Sequence, residues 1–324
     1  MSRLKLALPK GSLEKATYEI FKGAFYSISG QERTYRPKIN DPEIEVKTLR
    51  PQEIPFYVAG GVHDVGITGI DWVLETGADV ENILDMEYGR VRVVSAVPKD
   101  VNALSVSSFF EERWKKGATV RISTEYLNIA SKYVMALPTY ARRFGRLEPM
   151  VVTPWWTKGR NEMATIYLSF GATEAKPPED ADAIIDVIET GSTLEQNSLK
   201  VADEIMVSTA RLITNRRALR NPWKKEKIID LMAALKGVVE ARKKVHIFLN
   251  VRDKDLDRLL KSLPALKRPT ISPLSTKGWY AVNTVVARSE MLGLLPKIRK
   301  VAQGLVVHAP EQVLPLDEIK KGKR

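Results

Sequence analysis

The chain has 324 residues and an apolar fraction of 44%, which predicts a globular protein of two or three domains. It contains no cysteine, so disulfides and thiolate metal sites are excluded. No apolar run reaches the about 20 residues that a membrane span needs, and the first residues lack signal-peptide character. We therefore expect a soluble cytoplasmic protein with no membrane partner.

The net charge of +12 leaves three classes of partner open: nucleic acid, an anionic membrane surface, or phosphorylated small molecules. A solvated charged surface would explain the same charge. The basic residues are spread along the chain and mixed with acidic ones, and the denser runs 224–227 and 242–244 flank a predicted helix. This distribution favours phosphorylated small molecules, and no nucleic-acid partner is expected.

The first two-thirds of the chain alternates short apolar runs with helical patterns. The predicted elements are, in order, a strand at Leu4–Leu8, helices at Leu13–Phe25 and Pro51–Ala59, a strand at Asp64–Thr68, a helix ending near Gly77, strands at Arg90–Val97 and Thr119–Ser123, a helix at Glu125–Leu137, strands at Ala164–Ser169 and Ala183–Val187, and a helix after Thr193. Alternating strands and helices indicate α/β layers with largely parallel sheets.

After Asn221 and Pro222 the pattern changes. The predicted elements are a long amphipathic helix at Trp223–Arg242, strand Val245–Val251, helix Asp253–Leu263, strands Pro269–Ser275 and Trp279–Ala287, helix Ser289–Val301, and strand Leu305–His308. After the long helix the order is βαββαβ, which is the ferredoxin-like pattern. We place a domain boundary near residue 222.

The most informative segment is Ala181–Leu194, an apolar strand followed by a loop of hydroxyl residues and glycine and then by a helix. A phosphate-binding loop would be formed by four consecutive residues, Thr190, Gly191, Ser192 and Thr193. The glycine lets backbone N–H groups approach a phosphate, and the helix N-terminus adds partial positive charge. Asp186 and Glu189 suit sugar hydroxyls or a magnesium ion. An ordinary strand, turn and helix with a Ser/Thr cap would have the same pattern.

Three further strand ends carry candidate residues. In the run Arg50–Asp71, Gly66 and Gly69 would let a ligand approach the backbone, although packing alone would also explain both glycines. Lys10, which follows the first strand, is a suitable phosphate partner or an ordinary surface lysine. The stretch Arg121–Glu125 is again a strand end that meets a helix start.

Several common motifs are absent. The sequence has no P-loop and no G-x-G-x-x-G after a strand, so a P-loop ATPase and a Rossmann dinucleotide site are disfavoured. No nucleophile elbow is present, and His63, His246 and His308 have no metal-binding spacing. A reaction in this protein would therefore need no covalent intermediate.

Taken together, these segments resemble the ATP phosphoribosyltransferase family over nearly the whole chain. In that family the stretch matching Asp182–Leu194 is the phosphoribosyl pyrophosphate loop. The resemblance implies that Asp186 and Glu189 lie near the ribose and Mg²⁺. It also implies that the 5′-phosphate is held by Thr190, Gly191, Ser192 and Thr193.

The run Arg50–Asp71 resembles a family hallmark that lines the first-domain side of the cleft. Lys10 belongs to a stretch similar to the family's opening turn, and Gly171–Glu174 is similar to the segment that places a glutamate in the cleft. The resemblance implies catalytic roles for Lys10 and Glu174. The further substrate-binding residues that it implies in the first domain are Gly11, Arg50, Thr68, Gly69 and Asp71.

The C-terminal third resembles the histidine-binding regulatory domain of the long form of the family. The stretches that carry this resemblance are Leu263–Leu274 and Trp279–Val282. The implied effector residues are Asn250, Thr270, Ser272 and Leu274. Asn250 departs from the pattern, since some members have an acidic residue there.

The resemblance implies an α/β fold with two periplasmic-binding-protein-like lobes and a C-terminal ferredoxin-like (βαββαβ) regulatory domain. We expect lobe I at 1–98 with a return segment at about 195–222, lobe II at 99–194, and the regulatory domain at 223–324. The implied partners are ATP, phosphoribosyl pyrophosphate and histidine as inhibitor. A homo-hexamer is also implied, with dimers as an alternative state.

Three other functions would account for part of the sequence. A non-catalytic binding protein of the periplasmic type does not need the phosphate loop, and its expected signal peptide is missing. A phosphoribosyltransferase for a free base would have a similar loop but not the Arg50–Asp71 run or the third domain. Nucleic-acid binding is suggested by the net charge alone.

Overall fold

The computed structural model describes residues 3–30, 34–103, 105–264, 269–314 and 316. In the first half the elements are β1 (Leu4–Pro9), α1 (Glu14–Gly23), β2 (Ile28–Ser29), β3 (Lys38–Ile39), β4 (Ile44–Leu49), α2 (Ile54–Ala59), β5 (Val65–Gly69), α3 (Ile70–Thr76), β6 (Glu81–Asp85), β7 (Val91–Pro98), α4 (Val106–Lys115), β8 (Val120–Thr124), α5 (Leu127–Ala136) and α6 (Pro138–Phe144).

In the second half they are β9 (Pro149–Val152), β10 (Thr157–Lys158), β11 (Asn161–Leu168), a 3-10 turn (Thr173–Ala175), β12 (Ala183–Ile188), α7 (Ser192–Gln196), β13 (Leu199–Ser208), β14 (Ala210–Thr214), α8 (Arg216–Arg220), α9 (Pro222–Arg242), β15 (Lys244–Arg252), α10 (Asp253–Ser262), β16 (Thr270–Pro273), β17 (Trp279–Ala287), α11 (Met291–Ile298) and β18 (Ala302–His308). Each predicted element is present with shifted ends. The part of the predicted effector stretch at 265–268 lies outside the described residues.

The elements fall into two compact units. One unit consists of Lys5–Glu14 and Lys47–Ala218, and the other of Met1–Leu4, Lys15–Val46 and Leu219–Arg324. The second unit therefore combines the C-terminal third of the chain with most of α1 and with the small β2–β3 sheet, a grouping that the sequence did not predict. Among the described residues, no helix is both long and apolar enough to cross a membrane.

The first unit contains two mixed sheets. The first sheet has the strand order β4-β1-β5-β14-β6, where β1 and β5 are parallel and β14 is antiparallel to both of its neighbours. The second sheet has the order β10-β9-β11-β8-β12-β7-β13, with a parallel centre of β9, β11, β8 and β12. The carboxyl ends of these parallel strands lie along one edge, where α/β proteins place their ligands.

The chain crosses between these sheets twice, after β6 and again between β13 and β14, where only Thr209 separates the two strands. Strands β7 and β13 pair with each other and β7 pairs with β12, so both lie in the second sheet. The predicted lobe I, at 1–98 with a return segment at about 195–222, includes both strands. Sequence patterns do not reveal the long-range pairing that joins them to the second sheet.

The C-terminal sheet has the order β16-β17-β15-β18, and its pairs are antiparallel. Strand β15 alternates buried and more exposed residues, and its inward side chains Val245, Ile247, Leu249 and Val251 form a core with residues of α10, β17 and α11. This strand order with one covered face is the ferredoxin-like arrangement. The predicted fold class, two α/β lobes of the periplasmic-binding-protein type followed by a ferredoxin-like domain, is confirmed.

Gly66 of β5 is required for packing under helix α2. A Cβ atom at this position would stand 2.4 Å from Cγ2 of Ile54 and 3.0 Å from Cγ2 of Val58. We expect Gly66→Ala to lower the free energy of unfolding by about 1–3 kcal/mol, because a methyl group overpacks this buried contact. Denaturant titration monitored by circular dichroism measures the change.

Gly293→Ala is the matched control. This glycine lies in α11. Apart from its chain neighbours and the backbone of its own helix, no described atom lies within 4 Å of the added Cβ. The control should be neutral or stabilising by about 0.5–1 kcal/mol, since alanine favours a helix. Equal destabilisation by the two substitutions would contradict the packing role of Gly66.

Candidate active site

A pocket of about 360 Å³ lies at the carboxyl end of β12. Its lining consists of Glu174 and residues 186–194. The start of β12 is anchored by the buried Asp182, which accepts hydrogen bonds from the Arg121 backbone N–H at 2.8 Å and from its guanidinium Nη2 at 3.0 Å. The strand is apolar and buried up to Ile185, so its polar end projects at the edge of the sheet. The predicted loop and the predicted carboxylates thus line one pocket.

The loop of this pocket presents exposed hydroxyl groups. Thr190, Ser192 and Thr193 are exposed, and the Oγ1 of Thr190 lies 3.2 Å from the Oγ of Ser192. Gly191 has a φ of 87°, the left-handed conformation that glycine adopts without strain, and it precedes α7. Its position turns the chain so that hydroxyls and backbone N–H groups share one concave surface, which is suited to an anion.

The pocket also concentrates negative charge. The pKa of Asp186 is raised to about 6, chiefly by burial and to a smaller extent by the nearby charges of Glu174 and Glu125. Hydrogen bonds oppose the rise, among them the one that the Val187 backbone N–H donates to Asp186 Oδ1 at 2.7 Å. A bound cation or hydroxyl donors would lower the pKa of such a carboxylate, because either one stabilises its charged form.

The predicted residues of the first sheet form a separate cationic group. Lys10 and Arg50 lie just beyond the ends of the neighbouring strands β1 and β4, where the Lys10 backbone N–H donates to Leu49 O at 2.8 Å. A Cβ on Gly11, whose φ is 99°, would lie 3.5 Å from an Arg50 guanidinium nitrogen. The Lys10 ammonium pairs with Glu14 at 2.8 Å. Lys10, Gly11 and Arg50 are thus brought together, but they do not line the β12 pocket.

The remaining predicted residues at the first sheet are Thr68, Gly69 and Asp71, and they contact other parts of the protein. Thr68 is fully buried and its hydroxyl donates to Pro51 O at 2.7 Å. A Cβ on Gly69 would stand 2.0 Å from Asp71 Oδ1, so this glycine makes room for a carboxylate of the protein. Asp71 is buried and accepts hydrogen bonds from Tyr126 and Ser208. The structure therefore gives these three residues contacts within the protein.

Apart from Asp71, sequence reasoning missed a set of residues that joins the two sheets, which we call the α3–α5 clasp. Its members lie on α3, at the start of α5 and at the end of β13: Asp71, Trp72, Glu75, Tyr126, Asn128, Ile129 and Ser208. The available signal was the strand end at Arg121–Glu125, but a tyrosine that follows such a junction gives no indication of a distant partner.

The predicted effector residues lie on one sheet. Ser272 of β16 pairs with Ala281 of β17, and Ala281 pairs with Asn250 of β15, so Ser272 and Asn250 share a face. Thr270 pairs with Asn283 two residues along, on the same face. Asn250, Thr270 and Ser272 are exposed, whereas Leu274 follows β16 and its backbone N–H donates to Trp279 O.

No group of three or more His, Cys, Asp or Glu residues that could hold a metal ion occurs within the described ranges. The pair Asp186 and Glu189 nevertheless fits Mg²⁺ that arrives with a substrate. Magnesium is usually held by one or two carboxylates, by water and by substrate phosphates, and not by a complete protein cage. The pocket provides these oxygen ligands beside a loop suited to a phosphate.

Fold and site together define a two-lobed α/β protein with a pocket at the carboxyl end of β12 and a C-terminal ferredoxin-like domain. A family model described as ATP phosphoribosyltransferase matches residues 50–237, and one described as HisG, C-terminal domain matches residues 241–310.

Two named relatives and one solved structure agree with these family models. The chain is 37% identical over 319 residues to the ATP phosphoribosyltransferase of Pelotomaculum thermopropionicum, a match that covers 97% of this chain and 100% of that protein. It is 38% identical to the enzyme of the same name from Chlorobaculum parvum, over 93% of this chain and 94% of the relative. Its structure is similar to the ATP phosphoribosyl transferase (HisG:HisZ) complex from Thermotoga maritima, with a TM-score of 0.55, 26% identity, and coverage of 73% of this chain and 98% of that one.

The chain belongs to the ATP phosphoribosyltransferase family, and its C-terminal domain is that of the long form. It is therefore an enzyme of the pentosyl-transferring class that serves histidine biosynthesis. The resemblance stated from the sequence is therefore confirmed for the family, its long form and the class of enzyme.

The raised pKa of Asp186 predicts that the pocket reduces stability at neutral pH. Because the folded-state pKa of about 6 exceeds the ordinary value of 3.8, stability falls as pH rises between these values. Asp186→Asn should therefore be more stable than wild type above about pH 6, by about 1–3 kcal/mol, and the gain should shrink as pH falls toward 4. Denaturation of the ligand-free protein from about pH 5 to 8 measures it.

Glu189→Gln is the control, since it removes a charge of the same sign from an exposed position of the same pocket. It should change stability by less than about 0.5 kcal/mol at any pH tested, because it alters an exposed side chain. A stability difference for Asp186→Asn that stays constant across the pH series would contradict the electrostatic cause.

Proposed function

We propose that this enzyme transfers the 5-phosphoribosyl group of phosphoribosyl pyrophosphate to N1 of ATP, giving phosphoribosyl-ATP and pyrophosphate. The observation that carries the proposal is the pocket of Glu174, Asp186 and the loop Thr190–Thr193, present in a chain of the ATP phosphoribosyltransferase family. The loop offers exposed hydroxyls and backbone N–H groups to a 5′-phosphate. The carboxylates at the strand end suit the ribose hydroxyls.

In the reaction, N1 of the adenine attacks C1 of the phosphoribosyl group while the bond from C1 to the pyrophosphate oxygen breaks. Positive charge develops on the sugar, and negative charge develops on the departing pyrophosphate. This chemistry needs no protein nucleophile, which agrees with the missing nucleophile motifs. Catalysis would come from alignment of the two substrates and from charge stabilisation.

The two groups of site residues would have different tasks. Lys10 and Arg50, beyond β1 and β4, would bind polyphosphate oxygens, and Gly11 lets the Lys10 turn form. Glu174, on the 3-10 turn, would face the reacting sugar and stabilise its positive charge. Asp186 and Glu189 would hold Mg²⁺, which neutralises the pyrophosphate charge when bound.

Regulation by histidine is part of the proposal. The effector would bind on the sheet face of Asn250, Thr270 and Ser272, near Leu274, and would stabilise a less active state of the enzyme. We propose lobe I near 1–98 with a return segment at about 195–222, and lobe II near 99–194. The exceptions are β7 and β13, which we assign to lobe II because they pair in the second sheet. A cytoplasmic homo-hexamer, with dimers as an alternative state, completes the proposal.

The direct test is to incubate the protein with ATP, phosphoribosyl pyrophosphate and Mg²⁺ and to quantify phosphoribosyl-ATP by absorbance and mass spectrometry. Omission of either substrate should abolish the product. Turnover that persists when a free base such as adenine replaces ATP would favour a different phosphoribosyltransferase.

The loop generates a second test. We expect Thr193→Ala and Gly191→Ala each to lower kcat/KM for phosphoribosyl pyrophosphate at least tenfold, which corresponds to about 1.4 kcal/mol of transition-state stabilisation. The first variant loses a hydroxyl donor, and the second forces an alanine into a φ of 87°. Thr276→Ala, at an exposed turn of the C-terminal domain, is the control. Activity of the loop variants within about twofold of wild type would exclude the assigned phosphate site.

The effector face generates a third test. Free histidine should inhibit turnover several-fold to a hundred-fold, which corresponds to a coupling of about 1–3 kcal/mol, without simple competition against phosphoribosyl pyrophosphate. Ser272→Trp should weaken this inhibition while basal turnover persists, because the indole fills the exposed face. Lys254→Trp, on the exposed surface of α10, is the control. Unchanged histidine potency in a folded Ser272→Trp variant would place the effector site elsewhere.

A further inference from the structure

The first turn of helix α5 is capped by a residue of another lobe. Tyr126 occupies the N-cap position and makes no capping hydrogen bond with its side chain. The buried Glu75 of α3 instead accepts hydrogen bonds from the backbone N–H groups of Asn128 and Ile129, both at 2.9 Å. Glu75 O also accepts from Asn128 Nδ2 at 2.8 Å. Free N–H groups at a helix start need acceptors, so α5 depends on α3 to complete its start.

The carboxylate of Asp71 links three chain segments. Its Oδ2 accepts from the Tyr126 hydroxyl at 2.8 Å, and its Oδ1 accepts from the Ser208 hydroxyl at 2.5 Å. These partners belong to the β8–α5 junction and to the end of β13, while Asp71 belongs to the β5–α3 junction. Trp72 stacks on the Tyr126 ring with 4.5 Å between ring centroids. Both oxygens of the buried carboxylate are thus engaged within the protein.

Two further hydrogen bonds connect this carboxylate to the β12 pocket. The Tyr126 backbone N–H donates to the Oγ1 of Thr124 at 2.9 Å, and the Thr124 hydroxyl donates to Ile185 O at 2.7 Å. Ile185 directly precedes Asp186, which lines the pocket. Thr124, Tyr126 and Ile185 are buried. These hydrogen bonds therefore form a buried path from Tyr126 to the strand that carries the pocket.

We propose that Asp71 and Tyr126 are positioning residues, which hold the β12 pocket of the second sheet in register with Lys10 and Arg50 of the first. This inference rests on the proposed function, because the two groups of residues would bind different parts of the reacting pair. A misplacement of about 1 Å can lower a rate by about 100-fold without a direct contact to the reacting atoms. Asp71 thus acts through Tyr126 and does not bind substrate, in contrast to the role that the family resemblance implied.

The test removes one hydroxyl group. Tyr126→Phe keeps the ring that stacks on Trp72 and loses only the hydrogen bond to Asp71. We expect kcat to fall at least tenfold, whereas the Kd for phosphoribosyl pyrophosphate, measured by calorimetry, should change less than about threefold. Binding is spared because the phosphate loop lies within the second lobe.

Tyr140→Phe is the matched control. Its buried hydroxyl donates to Leu147 O at 2.6 Å and accepts from Asn161 Nδ2 at 2.9 Å, all within the second lobe. The control should lose stability to a similar degree and keep kcat within about twofold of wild type. Equal kcat losses in the two variants would show a general stability effect and would overturn the positioning role.

A double-mutant cycle separates positioning from substrate binding. If Asp71 and Tyr126 act as a unit, Asp71→Asn should have the same kcat signature, and the double variant should be no worse than the more damaged single variant. A large increase in substrate Kd for Asp71→Asn, with losses that multiply in the double variant, would make Asp71 a substrate ligand and would overturn the proposal.

Hydrogen exchange provides a readout that needs no turnover. The amides of Asn128 and Ile129 should exchange at least tenfold faster in Tyr126→Phe and in Glu75→Gln than in wild type or Tyr140→Phe. Unchanged protection would overturn the clasp. Absence of wild-type turnover would refute the proposed function, and with it the role in catalysis, whereas an active wild type with a normal Tyr126→Phe variant would refute only the clasp.

Discussion

A buried carboxylate requires donors for both of its oxygens, because an unpaired buried charge costs several kcal/mol. Asp71 obtains these donors from Tyr126 and Ser208, which lie on segments that the first sheet does not contain. The requirement therefore fixes where the β8–α5 junction and the end of β13 must lie relative to β5. Glu75 adds the same constraint one turn later on α3, through two backbone N–H groups of α5. In the positioning role that we propose, the alignment of the two sheets depends on these two carboxylates.

The residues of the strand-end motifs divide into two kinds by their exposure. The buried ones are Thr68, Asp71 and Asp182, and the side chain of each makes hydrogen bonds within the protein. Thr190 and Thr193, in contrast, are exposed at the rim of a pocket. Buried motif residues hold the strand ends in place, and exposed ones remain accessible to a ligand.

The charge of the pocket is opposite to that of the whole protein. The chain has a net charge of +12, yet Glu174, Asp186 and Glu189 face one small cavity. Burial and like charges raise the pKa of Asp186, so its ionised form is costly in the folded protein. A bound cation would remove this cost, which agrees with the Mg²⁺ role that we propose for Asp186 and Glu189.

The sequence by itself determined the features that are local along the chain. The strand, loop and helix around Asp186 and Thr193 span one continuous segment, and the βαββαβ order after residue 222 follows from hydrophobic periodicity. Only the tertiary structure identified the hydrogen-bond partners of Asp71, which are 55 and 137 residues away in sequence. It also decided that β7 and β13 belong to the second sheet. Periodicity reports which face of an element is buried, but it carries no information about which distant segment buries it.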